Sequence, residues 1–200
     1  MPRAFAVVLT VMSITSGIGC SVAQGQWSVG VEVGADRFWG GSQETTAEHR
    51  SFRPYRPTTF GLGVARGSGR LRAGVRFQYS SASLALEGSD ALVAAKGVFS
   101  VYAAAPELLY RIARLASNEL LLQGGPLIEV WSMVDEFETT RVGVQAALTL
   151  RVPLGARLSA AFTAGAALIP SPFRADQLDP GFESQALWRR RVAGGLQYRL

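Results

Sequence analysis

The chain contains one cysteine, Cys20, one histidine, His49, and one lysine, Lys96. Such a count excludes an intramolecular disulfide and leaves no Cys/His cluster for a zinc centre. Past the N-terminal segment there is no run of about 18 apolar residues, so a spanning helix is not expected. Gly61-Leu62-Gly63 stands apart from any P-loop or dinucleotide fingerprint. No metal, cofactor or nucleotide is therefore expected. The formal net charge is +5, and every basic residue other than Lys96 is Arg. These arginines are spread singly apart from the run Arg189-Arg190-Arg191. That pattern lacks the clustered basic face of a nucleic-acid binder, so no nucleic acid partner is expected.

The N-terminus has the parts of an export signal. Arg3 supplies a positive start, residues 4–12 an apolar segment, and Ser21-Val22-Ala23 a small-x-small cleavage site. The expectation is a cleaved signal peptide over 1–23 and one domain over 24–200, a length that suits one domain and hardly two. A rival reading makes Cys20 a lipidated first residue, although Gly17-Ile18-Gly19 before it lacks the Leu a lipobox favours.

What the remaining sequence does have is period-two alternation. In 26–39, Trp27, Val29, Val31, Val33 and Ala35 fall on one face, and Ser28, Gly30, Glu32, Gly34 and Asp36 on the other. In 69–82, Leu71, Ala73, Val75, Phe77 and Tyr79 oppose Arg72, Gly74, Arg76, Gln78 and Ser80. Segments 139–152, 156–169 and 186–200 sort as cleanly, while 58–67, 97–112 and 119–134 sort less so. Eight strands follow. Each exceeds the usual five or six residues and is long enough for the roughly 9 to 11 that a tilted strand needs to cross a bilayer. Their connections alternate, with tight turns near 67–69, 113–117 and 153–155 and other links at 40–57, 83–96, 135–138 and 170–185, of which only 135–138 is brief. Short turns on one side and longer loops on the other form the pattern of outer-membrane barrels.

The expected fold class is all-β: an eight-stranded antiparallel up-and-down transmembrane β-barrel. A bilayer offers the backbone no hydrogen-bond partners, so strands can cross it only as a closed barrel. The apolar stripe then faces lipid and the polar stripe faces the lumen. Trp27, Tyr79, Tyr110, Trp131, Trp188 and Tyr198 lie near strand ends, where interfacial aromatic girdles belong.

With its export signal, eight strands and final Gly195-Leu196-Gln197-Tyr198-Arg199-Leu200, the chain resembles the small outer-membrane barrels typified by the OmpA transmembrane domain and OmpX. Ala103-Ala104-Ala105-Pro106-Glu107-Leu108-Leu109-Tyr110 is similar to a mid-barrel strand of these families, with Glu107 inward. The resemblance implies location in the cell outer membrane and insertion by the barrel-assembly machinery. That machinery reads the last strand, here through Leu196, Tyr198 and Leu200, with Leu where a final aromatic is usual.

Candidate lumen charges are Glu32, Asp36, Arg72, Arg76, Glu107, Arg111, Glu129, Arg141, Arg151, Arg157, Arg189, Arg191 and Arg199. Buried charges must pair, so the expectation is a salt-bridged, largely filled lumen in a monomeric, non-enzymatic barrel. Its role would be structural or one of surface contact through the loops. A narrow Arg-lined conduit for small solutes is the alternative. A second alternative is enzymatic: Glu48, His49 and Ser51 have the residue types of nucleophilic acyl transfer. Their His-x-Ser spacing resembles that of outer-membrane lipid A deacylases. Arg50, Arg53 and Arg56 with Phe52 and Tyr55 give the first long link a basic, aromatic character suited to lipopolysaccharide phosphates. The expected partners are outer-membrane lipid and lipopolysaccharide.

Overall fold

The computed structural model describes residues 25–40, 42–44, 51–87, 92–133, 138–173 and 182–200. The export segment, Cys20, Glu48 and His49 lie outside these residues. The described chain forms ten strands: β1 (Gln26–Trp39), β2 (Ser42–Glu44), β3 (Ser51–Ser68), β4 (Leu71–Glu87), β5 (Leu92–Leu115), β6 (Asn118–Met133), β7 (Glu138–Pro153), β8 (Leu158–Ile169), β9 (Phe182–Ser184) and β10 (Leu187–Arg199). Eight of them, β1, β3 to β8 and β10, make an up-and-down antiparallel sheet. It closes because β1 pairs with β10 on one side, Ser28 opposite Arg199, and with β3 on the other, Gln26 opposite Gly67. Closure removes both edges, so every barrel strand has two neighbours for its backbone groups. The short β2 and β9 pair with each other, and β2 continues onto the start of β3.

Alternation sets the two surfaces. Val31, Val33, Phe60, Leu62, Val142, Val144, Phe162 and Val192 are exposed on the outside. Asp36, Arg76, Glu107, Glu129, Arg151, Arg189 and Arg191 are buried within. Among the described residues, buried polar side chains outnumber buried apolar ones, the reverse of a water-soluble core. Glycine makes room inside. A Cβ on Gly61 would come within 2.5 Å of the Glu32 carboxylate, so a larger residue there would displace that charge.

One end carries the turns: Gly69-Arg70 between β3 and β4, Ala116-Ser117 between β5 and β6, and residues 154–157 between β7 and β8. Gly69 takes a left-handed φ of 65°, a conformation glycine adopts without penalty. Both ends of the described chain meet here, where the Leu200 N–H donates to the Trp27 carbonyl at 3.0 Å.

The structure corrects three sequence expectations. Residues 51–57 and much of 83–96 are strand, so β4 and β5 run on as a paired ribbon to Glu87 opposite Leu92. Proline donates no N–H to a ladder, so Pro54 and Pro57 are unusual within a strand. The strand accommodates them with a register shift between Tyr55 and Thr58. The strand expected from 156 begins at Leu158, leaving Arg157 in the bend. Trp131 is no girdle residue, since it is fully buried in the lumen, whereas Trp27, Tyr79, Tyr110, Trp188 and Tyr198 are exposed on the outer face.

Candidate functional site

The inward side chains form layers along the barrel axis. At the loop end, Phe38 and Trp131 meet edge to face with centroids 6.0 Å apart. Leu127, Ile169 and Leu187 are also fully buried at this end. This apolar closure exists because β1 and β6 each place an aromatic at an inward position near their loop ends.

Beneath it lies the most buried ion pair. Arg189 of β10 donates to Glu129 of β6 at 2.5 Å, and both side chains are almost wholly inaccessible. The Trp131 indole N–H donates to the other Glu129 oxygen at 2.9 Å. Glu129 thus has a partner on each oxygen, which a buried carboxylate requires. On the next level the Thr59 hydroxyl donates to Asp36 at 2.6 Å. Arg191 reaches toward Asp36 at 4.0 Å and donates to Glu32 at 2.8 Å. Arg76 then joins three strands, lying 3.5 Å from Glu32 and donating to Glu107 at 3.2 Å and to the Gln123 amide oxygen at 2.5 Å. Gln123 donates on to Thr149 at 2.6 Å, and Thr149 shares a hydrogen bond with Thr163 at 2.8 Å. This polar ladder crosses the middle of the barrel, with a void of about 60 Å³ beside Arg76, Glu107 and Gln123.

The turn end is different. Glu119 of β6 is a single carboxylate holding four guanidinium groups: Arg111 at 2.8 Å, Arg151 at 3.1 Å, Arg72 at 3.3 Å and Arg114 at 3.5 Å. These residues line a basin of about 330 Å³ that is bounded by the 67–69 turn and completed by Arg157, Ser159, Gln197 and Arg199.

The structure therefore divides the expected charges. Glu32, Asp36, Arg76, Glu107, Glu129, Arg189 and Arg191 belong to the central layers, and Arg72, Arg111 and Arg151 to the Glu119 cluster. Arg199 lines the basin, and Arg157 is exposed at its mouth instead of lying inside the lumen. Arg141 donates to the Ser171 carbonyl at 2.6 Å near the loop end. Sequence reasoning overlooked Glu119, Gln123, Thr149 and Arg114. Parity was available for the first three: Glu119 and Gln123 share the inward face of Glu129 on β6, and Thr149 shares that of Arg141 and Arg151 on β7. Of the acyl-transfer candidates only Ser51 is described, with its backbone paired to Gln43 and Glu87. Among the described residues no group of three His, Cys, Asp or Glu is placed to hold a metal. Leu196, Tyr198 and Leu200 point outward.

No protein-family model matches the sequence, and no curated protein matches it. Among solved structures it is similar to Neisserial surface protein A (NspA), with a TM-score of 0.57 at 8% identity over 87% of this chain and 97% of that one. It is similar to the outer membrane protein OprG from Pseudomonas aeruginosa, with a TM-score of 0.52 at 12% identity over 88% and 96%. A major outer membrane protein from Thermus thermophilus aligns with a TM-score of 0.50 at 14% identity over 87% and 99%. At such identities the likeness is one of fold: the chain folds as a small eight-stranded outer-membrane β-barrel.

Proposed function

We propose that the protein is a monomeric, non-enzymatic barrel of the outer membrane. On this reading its lumen is closed to solutes and its work is done at its outer surface and loops. The observation that carries the proposal is the inside-out burial pattern, with an exposed apolar belt around a polar, ion-paired interior. A belt of Val, Leu and Phe is costly in water and favourable in lipid. The Phe38–Trp131 closure and the Arg189–Glu129 pair favour a plug over a conduit. The short turns and chain ends would lie in the periplasm and the longer links outside, the usual orientation of such barrels.

A surface feature favours contact with lipopolysaccharide. Arg37 and Arg190 are directly opposed across β1 and β10, both exposed on the outer face at the loop end. Both guanidinium groups lie over the Trp39 ring, at 5.2 and 4.7 Å. Like charges directly opposite each other are destabilising unless an anion lies between them, and lipid A phosphates occupy that level of the outer leaflet. The outward Leu196, Tyr198 and Leu200 of the last strand would serve as the assembly signal.

Two experiments test the proposal. The full chain, expressed in a Gram-negative host, should fractionate with the outer membrane and migrate differently on SDS gels before and after boiling. A soluble periplasmic location would overturn the membrane assignment. In planar bilayers the protein should give no steady conductance, and a stable open level would overturn the closed lumen.

A further inference from the structure

Charge is unevenly distributed along the lumen. In the central layers Arg76, Arg189 and Arg191 meet four carboxylates, Glu32, Asp36, Glu107 and Glu129. In the turn-end basin Arg72, Arg111, Arg114 and Arg151 share Glu119, Arg157 and Arg199 add two further cations, and Glu119 is the one carboxylate side chain among the described lining residues. Arginine cannot relieve crowding by losing its proton. The surplus positive charge therefore needs a counter-anion.

We propose that this basin binds a small phosphoryl anion. The site is built, since Arg151 is buried at its floor and its Nε has no hydrogen-bond partner. That Nε is sealed from solvent, so it adds unanswered positive charge beneath the basin, and the guanidinium groups lining the open space would meet an incoming oxygen. Arg114, mostly exposed, extends from the rim, so guanidinium groups run from solvent to floor. A guanidinium presents paired N–H donors that match phosphate oxygens two at a time. A single carboxylate would offset little of the surplus, whereas a multiply charged phosphate or pyrophosphate offsets more within about 330 Å³. The cavity is part of the fold whatever the loops contact. Only the source of the phosphoryl group depends on the orientation proposed above, which would put the basin at the periplasmic side. There the group belongs either to a soluble anion or to the headgroup of an inner-leaflet phospholipid.

Calorimetric titration of the full chain in maltoside micelles with pyrophosphate, at constant ionic strength, tests the site. One-to-one binding in the micromolar-to-millimolar range, above about 4 kcal/mol, is expected. The double variant Arg157→Gln/Arg199→Gln should weaken it at least tenfold by the loss of two of the six cations, about 1.4 kcal/mol or more. Neither residue takes part in an ion pair among the described residues, so folding, checked by gel mobility, should persist. Arg66→Gln, which removes an exposed outer-face cation lying over Trp27, should bind as the parent does. Absence of saturable heat, or unchanged affinity in the basin variant, overturns the proposal. Repeating the titration in nanodiscs distinguishes the sources. If phosphatidylglycerol competes and phosphatidylcholine does not, the occupant is a lipid headgroup. Equal affinity in both assigns the site to a soluble anion.

Discussion

Removing Glu129 should destabilise the barrel more than any other single change in the lumen. The carboxylate is fully buried, accepts from Arg189 at 2.5 Å and from the Trp131 indole at 2.9 Å, and stands on the opposite wall from β10. Glu129→Ala leaves the Arg189 guanidinium buried, with the Gln78 amide oxygen at 3.5 Å as its remaining hydrogen-bond partner among the described residues. Stranding one partner of a buried pair costs about 3–5 kcal/mol. With a urea dependence of about 1–3 kcal/mol per molar, the unfolding midpoint should fall by about 1 M or more. Equilibrium unfolding in lipid vesicles, followed by the mobility of unboiled samples, measures the shift. The double variant Glu129→Leu/Arg189→Met removes both charges, and replacing a buried ion pair with apolar residues is often neutral or stabilising. It should therefore recover most of the loss. A single-variant cost below about 1 kcal/mol would show that water reaches the pair, in which case its worth falls to that of an exposed one. A double variant as unstable as the sum of its singles would show that the residues do not interact. Either result would refute the account of a sealed lumen.

Other expectations follow from the same geometry. Gly61→Leu should displace the Glu32 carboxylate, whose oxygen lies 2.5 Å from the new Cβ position, and lower stability by about 1–3 kcal/mol in the same assay. Val144→Arg, at an exposed mid-strand position of β7, should cost about 2–4 kcal/mol in a bilayer, whereas on a water-soluble surface the change would be nearly neutral. A variant retaining Trp131 as its only tryptophan should resist quenching by acrylamide and by brominated lipid, while one retaining only Trp188 should be quenched by the lipid. Arg37→Glu/Arg190→Glu should reduce the stabilisation that added lipopolysaccharide confers on the parent, read as a smaller shift in unfolding temperature.

Face was legible in the sequence, and height was not. Parity alone assigns Val31 to lipid and Glu32 to the lumen, because a strand has no third choice. The same parity on β6 runs through Glu119, Gln123, Glu129 and Trp131, so the buried tryptophan was within reach of the argument. An aromatic near a strand end simply outweighed its position in the alternation. The 40–57 link misled too: its polar composition reads as a loop, yet β3 continues through Pro54 and Pro57 with a register shift. Which inward residues share a layer depends on stagger between tilted strands, and no local pattern encodes that. Arg72 and Arg76 have the same type, strand and face. They are about 13 Å apart along that strand at 3.3 Å per residue, and their partners diverge accordingly. Arg76 enters the carboxylate-rich network of Glu32, Glu107 and Gln123, whereas Arg72 joins three other arginines on Glu119. A plain inventory of inward charges makes one network of these groups. Register separates them into a plug whose carboxylates outnumber its arginines by one and a basin with surplus positive charge, and only the second has capacity left for an anion.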